Sequence, residues 1–232
     1  MPVIFGINPL LEDLKSQTGR VNKIIVAQVR GGEAFQKVLN LAKQKGIHIE
    51  FREKSYLDRK AGQGFHQGIV GFCEPFAYAS VDKVIANRHP DFKYNLILIL
   101  DCITDPQNLG ALIRTAHCCG ANGVIIPENR SASVTGTVIK ASAGAANYTS
   151  VATVVNLSNA IEYLKERGFW IYGTDPASGR DFSSFDYSGH IGIVMGSEGK
   201  GMRPLIRKKC VFLLSITTMG KIDSLNVSVA AG

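Results

Sequence analysis

Five polar residues stand in stretches that are otherwise apolar or rich in glycine: Asn108, Arg114, Glu198, Ser224 and Asn226. The first two lie in TDPQNLGALIRTAHCCG, residues 104–120, between the apolar runs LILILD and GVIIP. At about 100° per residue Leu109, Leu112, Ile113 and Ala116 share one helical face, while Gly110, Arg114 and His117 fall on the other. Asn108 is expected to cap this helix through its side-chain oxygen. With a small residue one turn before it, the Arg114 guanidinium has room to reach toward the helix mouth, where an anion is favoured. A capping amide and a solvated arginine would satisfy the same pattern. Glu198 sits in GSEGKG, residues 196–201, which misses the phosphate loop GxxxxGK[ST] because Gly201 stands at the hydroxyl position. A carboxylate there repels phosphate and suits a cationic ligand or an arginine partner, although a plain surface turn reads the same way. Ser224 and Asn226, in SLNVSVAAG, carry groups that can hold a ribose or a heterocycle, or can start a helix with Ser224 as its cap.

The elements that must position these groups alternate between helix and strand. PLLEDLKSQ is amphipathic, NKIIVAQV reads as a strand, and GEAFQKVLNLAKQKG is a helix with apolar Phe35, Val38, Leu39 and Leu41, closed by Gly46. IHIEF and QGIVGFCE complete a small αβ domain over residues 1–75. Weak periodicity and the breaker RHP make 76–93 a linker. From residue 94 to 232, NLILILD, GVIIP, FWIYGTD and HIGIVMG are nearly continuous apolar runs, the mark of parallel strands buried on both faces, with LSNAIEYLKERG as a covering helix. Ligands of such sheets bind beyond the carboxyl ends of the strands, where the loops carrying Asn108 and Glu198 begin.

With 232 residues and 45% apolar content the chain can bury one or two cores. It offers neither a long apolar span nor a signal peptide, so the cytoplasm is the expected compartment. Five cysteines, Cys73, Cys102, Cys118, Cys119 and Cys210, lack CxxC spacing and read as buried small hydrophobes, with no metal expected. The net charge of +7 and a pI near 9.2 favour a polyanionic partner. The excess is spread: residues 1–75 hold eleven Lys and Arg against seven Asp and Glu. GQGFHQG spaces its glycines one residue too far for a dinucleotide fingerprint, and His66 and His117 read as structural or surface residues.

Taken in order, Asp105-Pro106-x-Asn108-x-Gly110-x-x-x-Arg114-x-Ala116-x-x-x-Gly120, then Gly196-x-Glu198-Gly199-x-Gly201, then Ser224-Leu225-Asn226-Val227-Ser228 resemble the three motifs of the SpoU (TrmH-type) RNA ribose 2'-O-methyltransferases. FGINPLLEDL and FHQGIVG resemble the amino-terminal RNA-binding domain of the large-subunit ribosomal RNA guanosine methyltransferases in that family. The resemblance implies a SPOUT domain, a parallel α/β sheet with a trefoil knot at its carboxyl end, working as a homodimer on S-adenosylmethionine. It places the cofactor against Thr174, Gly196, Ile216 and Leu225, largely through backbone, and sets Asn108, Arg114, Glu198, Ser224 and Asn226 around the ribose and the methyl group. Arg114, oriented by Glu198, is then the electrostatic anchor for the developing alkoxide or the adjacent phosphate, and a base only of last resort. The implied substrate is a guanosine of 23S ribosomal RNA, bound in part by Lys15, Arg20, Arg30, Arg52, Arg59 and Lys60. A tRNA ribose methyltransferase and a noncatalytic RNA-binding protein of the same fold are the alternatives. Ile216-Thr217-Thr218-Met219 departs from the family's usual Ile-Pro-Met, and the chain stops at VAAG where a further helix is expected.

Overall fold

The computed structural model describes residues 3–16, 19–27, 31–62, 65–219 and 225–232. Ser224 and Arg30 lie outside the described residues. Two compact units are present, one of residues 1–77 with 134–148, the other of 78–133 with 149–232.

The first unit is built on a four-stranded sheet in the order β1-β4-β2-β3, with β1 Val3–Phe5, β2 Val21–Ala27, β3 His48–Arg52 and β4 Ile69–Cys73. β2 and β3 run parallel, and β4 is antiparallel to both β1 and β2. Helix α1, Ile7–Lys15, buries Leu10 and Leu14, and α2, Glu33–Gln44, buries Phe35, Val38 and Ala42. Leu39 and Leu41 are only half-buried, because the contacting stripe runs i, i+3, i+7 and lands on Ala42. Leu10 seats over Gly71 of β4, where a Cβ would stand 2.5 Å from the leucine side chain. Helix α3, Lys54–Ala61, turns Leu57 and Ala61 against Ile25, Ala27 and Val70. The buried carboxylate of Asp13 accepts from the backbone N–H groups of Arg20 (2.9 Å) and Val21 (3.0 Å), tying α1 to the start of β2. His66 is also structural, with Nε2 2.8 Å from Asp58 and Nδ1 accepting from the Gly68 N–H.

The second unit holds a six-stranded parallel sheet in the order β10-β8-β9-β5-β6-β7. Its strands are β5 Leu96–Asp101, β6 Gly123–Pro127, β7 Ser150–Val154, β8 Phe169–Thr174, β9 His190–Gly196 and β10 Phe212–Leu214. The parallel sheet expected from the apolar runs is present. Helix α4, Val81–Ala86, lies inside the stretch expected as a linker and buries Val84 in this unit's core. Helices α7, Leu157–Lys165, and α8, Pro204–Lys209, cover the same core, which joins Ile161 and Leu164 to Ile97, Ile99, Ile171 and Val194. Buried Asn122 accepts from the Leu96 N–H at 2.9 Å and donates to Asn95 Oδ1, fixing the start of β5.

The chain leaves β5 for β6 on one side and returns as β9 on the other. That reversal puts the carboxyl ends of β5 and β9 side by side, Asp101 opposite Gly196, with Thr174 and Leu214 aligned at the ends of β8 and β10. Helix α6, Gly136–Ala141, belongs to the first unit, and Gly136 packs closely on β1, where a Cβ on this glycine would stand 1.9 Å from the Val3 carbonyl oxygen.

Candidate active site

Beyond β5 the chain turns into helix α5, Pro106–Cys118. Asp105 caps it, accepting from the N–H groups of Gln107 (3.2 Å) and Asn108 (3.0 Å), and Pro106 fits the first turn because its missing N–H has no partner to lose. This corrects the expectation that Asn108 is the cap. With the capping role filled three residues earlier, the Asn108 side chain is free to point away from its own backbone. The expected apolar stripe, Leu109, Leu112, Ile113 and Ala116, is buried. Gly110 is buried as well, against expectation, and a short helix α9, Val227–Ala230, packs on α5.

Beyond β9 lies the Glu198 loop. Ser197 and Gly201 exchange backbone hydrogen bonds of 3.1 and 2.8 Å, closing residues 197–201 into a tight turn. Gly199 (φ 75°) and Gly201 (φ 63°) occupy the left-handed region. A Cβ on Gly196 would lie 2.1 Å from the Gly201 carbonyl carbon, so this glycine is required for the loop to fold back on itself. The loop is pinned from beneath by a residue that motif reading passed over. Asp101, fully buried at the end of β5, accepts from the Arg203 backbone N–H (2.8 Å) and from its Nε (2.7 Å). An acid ending an apolar strand, with an arginine just past a glycine loop, was the available signal.

At the end of the chain Asn226 caps α9 through Oδ1, which accepts from the Ser228 N–H at 2.9 Å. The cap of this helix is thus Asn226. The three segments then meet on one carboxylate oxygen. Glu198 Oε1 accepts from Asn108 Nδ2 (3.2 Å), from Asn226 Nδ2 and from the Val227 N–H (3.2 Å), while Asn226 Nδ2 also donates to Asn108 Oδ1 at 3.1 Å. Residues separated by 90 and 118 positions are joined in this cluster.

Arg114 is exposed and makes no hydrogen bond or ion pair among the described residues, so the expected orientation by Glu198 is absent within one chain. The helix explains this. Six residues beyond Asn108, Arg114 is turned by about 240° and displaced by about 9 Å along the axis.

Thr174 ends β8, where its Oγ1 donates to the Val194 carbonyl at 3.3 Å. Ile216 follows β10 in a segment held by Asp181, whose carboxylate accepts from Thr217 N–H (3.3 Å) and from its hydroxyl. Bonds from Ser183 and Thr217 hold the Asp181 carboxyl down at about 2. Sequence reasoning missed Asp181, which lies in a loop without periodicity. Leu225, 43% exposed, adjoins Asn226. All five cysteines are free thiols, but only Cys73 is fully buried: Cys118 and Cys119, at the end of α5, are exposed, which corrects the expectation that all five are buried. Burial pushes Cys73 up to about 12 and Cys210 to about 11. Among the described residues no cluster of ligands fit for a metal occurs, and no helix is long and apolar enough to cross a membrane.

A parallel α/β sheet with a polar cluster across the carboxyl ends of strands flanking its topological switch defines a ligand-binding or catalytic α/β domain. Comparison with known proteins narrows this. Residues 95–232 match the SpoU rRNA Methylase family, and residues 3–79 match the RNA 2'-O ribose methyltransferase substrate binding family. A Bacillus subtilis protein named for the TrmH family of tRNA/rRNA methyltransferases is 40% identical over 229 residues, covering 99% of this chain and 91% of its own. Among solved structures, the SpoU methyltransferase AviRb from Streptomyces viridochromogenes, in complex with AdoMet, aligns with a TM-score of 0.80 at 22% identity over 99% of this chain and 85% of its own. An AdoMet-bound rRNA methyltransferase from Sinorhizobium meliloti gives 0.76 at 21% identity over 99% and 83%. The chain belongs to the SpoU family of RNA methylases, whose members depend on S-adenosylmethionine.

Proposed function

We propose that this protein transfers the methyl group of S-adenosylmethionine to a ribose 2'-hydroxyl of RNA, with a guanosine of large-subunit ribosomal RNA as substrate and a homodimer as the working form. The reading rests on one observation above others: Asn108, Glu198 and Asn226, one from each motif, share hydrogen bonds at the carboxyl edge of the sheet. A chain that kept only the fold would have no need to converge three separated polar side chains there.

The residues at hand fit the cofactor. Thr174, Gly196 and Ile216 end or follow adjacent strands, so they offer a row of backbone groups with half-buried apolar surface, and Leu225 adds an exposed apolar side chain. Bound there, the cofactor supplies an electrophilic methyl on a positively charged sulfur. Glu198 suits that charge: Oε1 is occupied by three donors, and Oε2 has no partner among the described residues. Asn108 and Asn226 hold the carboxylate in place and orient the sugar, supplying rate through position without moving a proton. Arg114 would stabilise the negative charge that develops on the 2'-oxygen as its proton passes to solvent water, or would hold the adjacent phosphate. A guanidinium holds its proton in nearly every setting, so electrostatic stabilisation suits it better than proton abstraction. Because Arg114 does not reach Glu198 in one chain, a second copy is the natural source of the missing partner in the proposed dimer. Ser224 is assigned to the ribose, and the trefoil knot belongs to the same reading.

RNA as the polyanion has support in the first unit, proposed as the substrate-binding domain. Arg52, Arg59 and Lys60 surround the ring of Tyr56 at 5.8, 6.0 and 5.7 Å, and Arg59 and Lys60 have no carboxylate partner among the described residues. Asp58 is taken up by His66, and Glu50 by Lys23 and Arg52. Radiolabelled S-adenosylmethionine incubated with the protein and ribosomal or transfer RNA transcripts tests the proposal. Label recovered as 2'-O-methylguanosine from ribosomal RNA supports it; label confined to tRNA would move the substrate, and cofactor binding without transfer to any RNA would refute the enzymatic reading.

A further inference from the structure

The first unit contains a cleft of about 560 Å³ that nothing in the proposed chemistry uses. Its volume lies within the range of about 300 to 1,000 Å³ typical of small-ligand sites. One wall is the start of α1, with Asn8, Pro9 and Glu12. The turn before β4 contributes Phe65 and Gln67, and α6 with its exit contributes Ile139 and Lys140.

Each group suits a flat heterocycle. Phe65 leaves 75% of its surface in water beside the cleft, an apolar ring on which no other ring stacks among the described residues. Pro9 and buried Ile139 give an apolar floor. Gln67 is held rigidly, its Oε1 accepting from the Ile7 N–H at 2.9 Å, which leaves the amide nitrogen as a donor. Gly6 makes room for that bond: it has φ 93°, and a Cβ there would come within 3.3 Å of the same oxygen. Lys140, its Nζ 5.5 Å from the Phe5 ring centroid, is a second donor. Glu12, paired with Lys15 at 2.9 Å, brings an acceptor and repels phosphate. A stacking face, an acceptor and two donors around an apolar floor match the edge and face of a base, whereas a phosphate would meet a carboxylate.

We propose that this cleft receives an unpaired nucleobase of the RNA substrate, distinct from the nucleotide that is methylated. The inference rests on the RNA reading given above. Only an unpaired base exposes the face that Phe65 would stack on.

The test uses the full chain and a fluorescein-labelled single-stranded oligoribonucleotide of mixed sequence, with the same strand in a duplex for comparison. Phe65→Ala is expected to raise the single-strand Kd roughly 5- to 100-fold, the range of one lost base–aromatic stack. Phe65→Trp should restore it to within about threefold. S-adenosylmethionine affinity, duplex affinity and kcat should hold while KM rises. Because Phe65 is exposed, its truncation removes no core packing, and an unchanged circular dichroism spectrum checks this. If Phe65→Ala binds single strands as the wild type does, or Phe65→Trp fails to restore binding, the cleft proposal falls while the methyltransferase reading stands. A wild-type chain that binds cofactor but no RNA would overturn both.

Discussion

At the level of single residues, the charges of Glu198 and Arg114 occupy separate places. Glu198 is the hub of the polar cluster, and Arg114 stands apart from it on the exposed side of α5. Replacing Arg114 by Ala should lower the methyl-transfer rate by about 100-fold or more, the usual effect of removing one stabiliser of a developing oxyanion. Cofactor and RNA affinities, measured by calorimetry and anisotropy, should change by no more than about twofold; retention of most of the rate would remove Arg114 from the mechanism. Asp181 gives a pH test. Its carboxyl is depressed to about 2 from an unfolded value of 3.8, so its hold on Thr217 is fully present above about pH 4 and is lost as pH falls through about 2. Protection of the Thr217 amide from hydrogen exchange, corrected for intrinsic rates, should follow that course. In Asp181→Asn the protection should be weak at every pH.

Elements, rather than residues, decide whether Glu198 is in place. Gly196→Ala would drive a methyl group into the Gly201 backbone, and should abolish cofactor binding and lower the melting temperature. Removal of the buried Asp101 charge by Asn should cost about 2 kcal/mol in urea unfolding, since it weakens two charge-assisted bonds to Arg203. Strands β5, β6, β8 and β9 were legible because burial on both faces makes them continuous apolar runs, and α5 because its stripe repeats at the helical period. The three-residue strands β1 and β10 and the six-residue helices α4, α6 and α8 were not, having too few alternations or turns to show a period; in β7, Ser150 and Thr153 break the apolar run that marks β5, β6, β8 and β9. The site was partly legible. Motif spacing brought forward Asn108, Glu198 and Asn226, but no local pattern reports that Asp105 caps α5 or that Arg114 is turned away from Glu198. Asp101 and Asp181 act through partners 102 and 36 residues away, separations that periodicity cannot register.

For the molecule as a whole, the two matched families join RNA substrate binding and methylation in one chain, and the +7 net charge gives the RNA binding an electrostatic part. RNA affinity should therefore fall by about tenfold between about 50 and 200 mM salt, as expected when a few phosphate contacts release counterions. Arg59→Ala with Lys60→Ala should make that dependence shallower without altering cofactor affinity. The central claim is ribose methylation itself, and mass spectrometry of nuclease-digested 23S transcript, after incubation with the protein and S-adenosylmethionine, tests it most directly. A single new 2'-O-methylguanosine, absent with Glu198→Ala, is the predicted result. Methylation on a base, or none on ribosomal or transfer RNA by a chain that binds the cofactor, would contradict it.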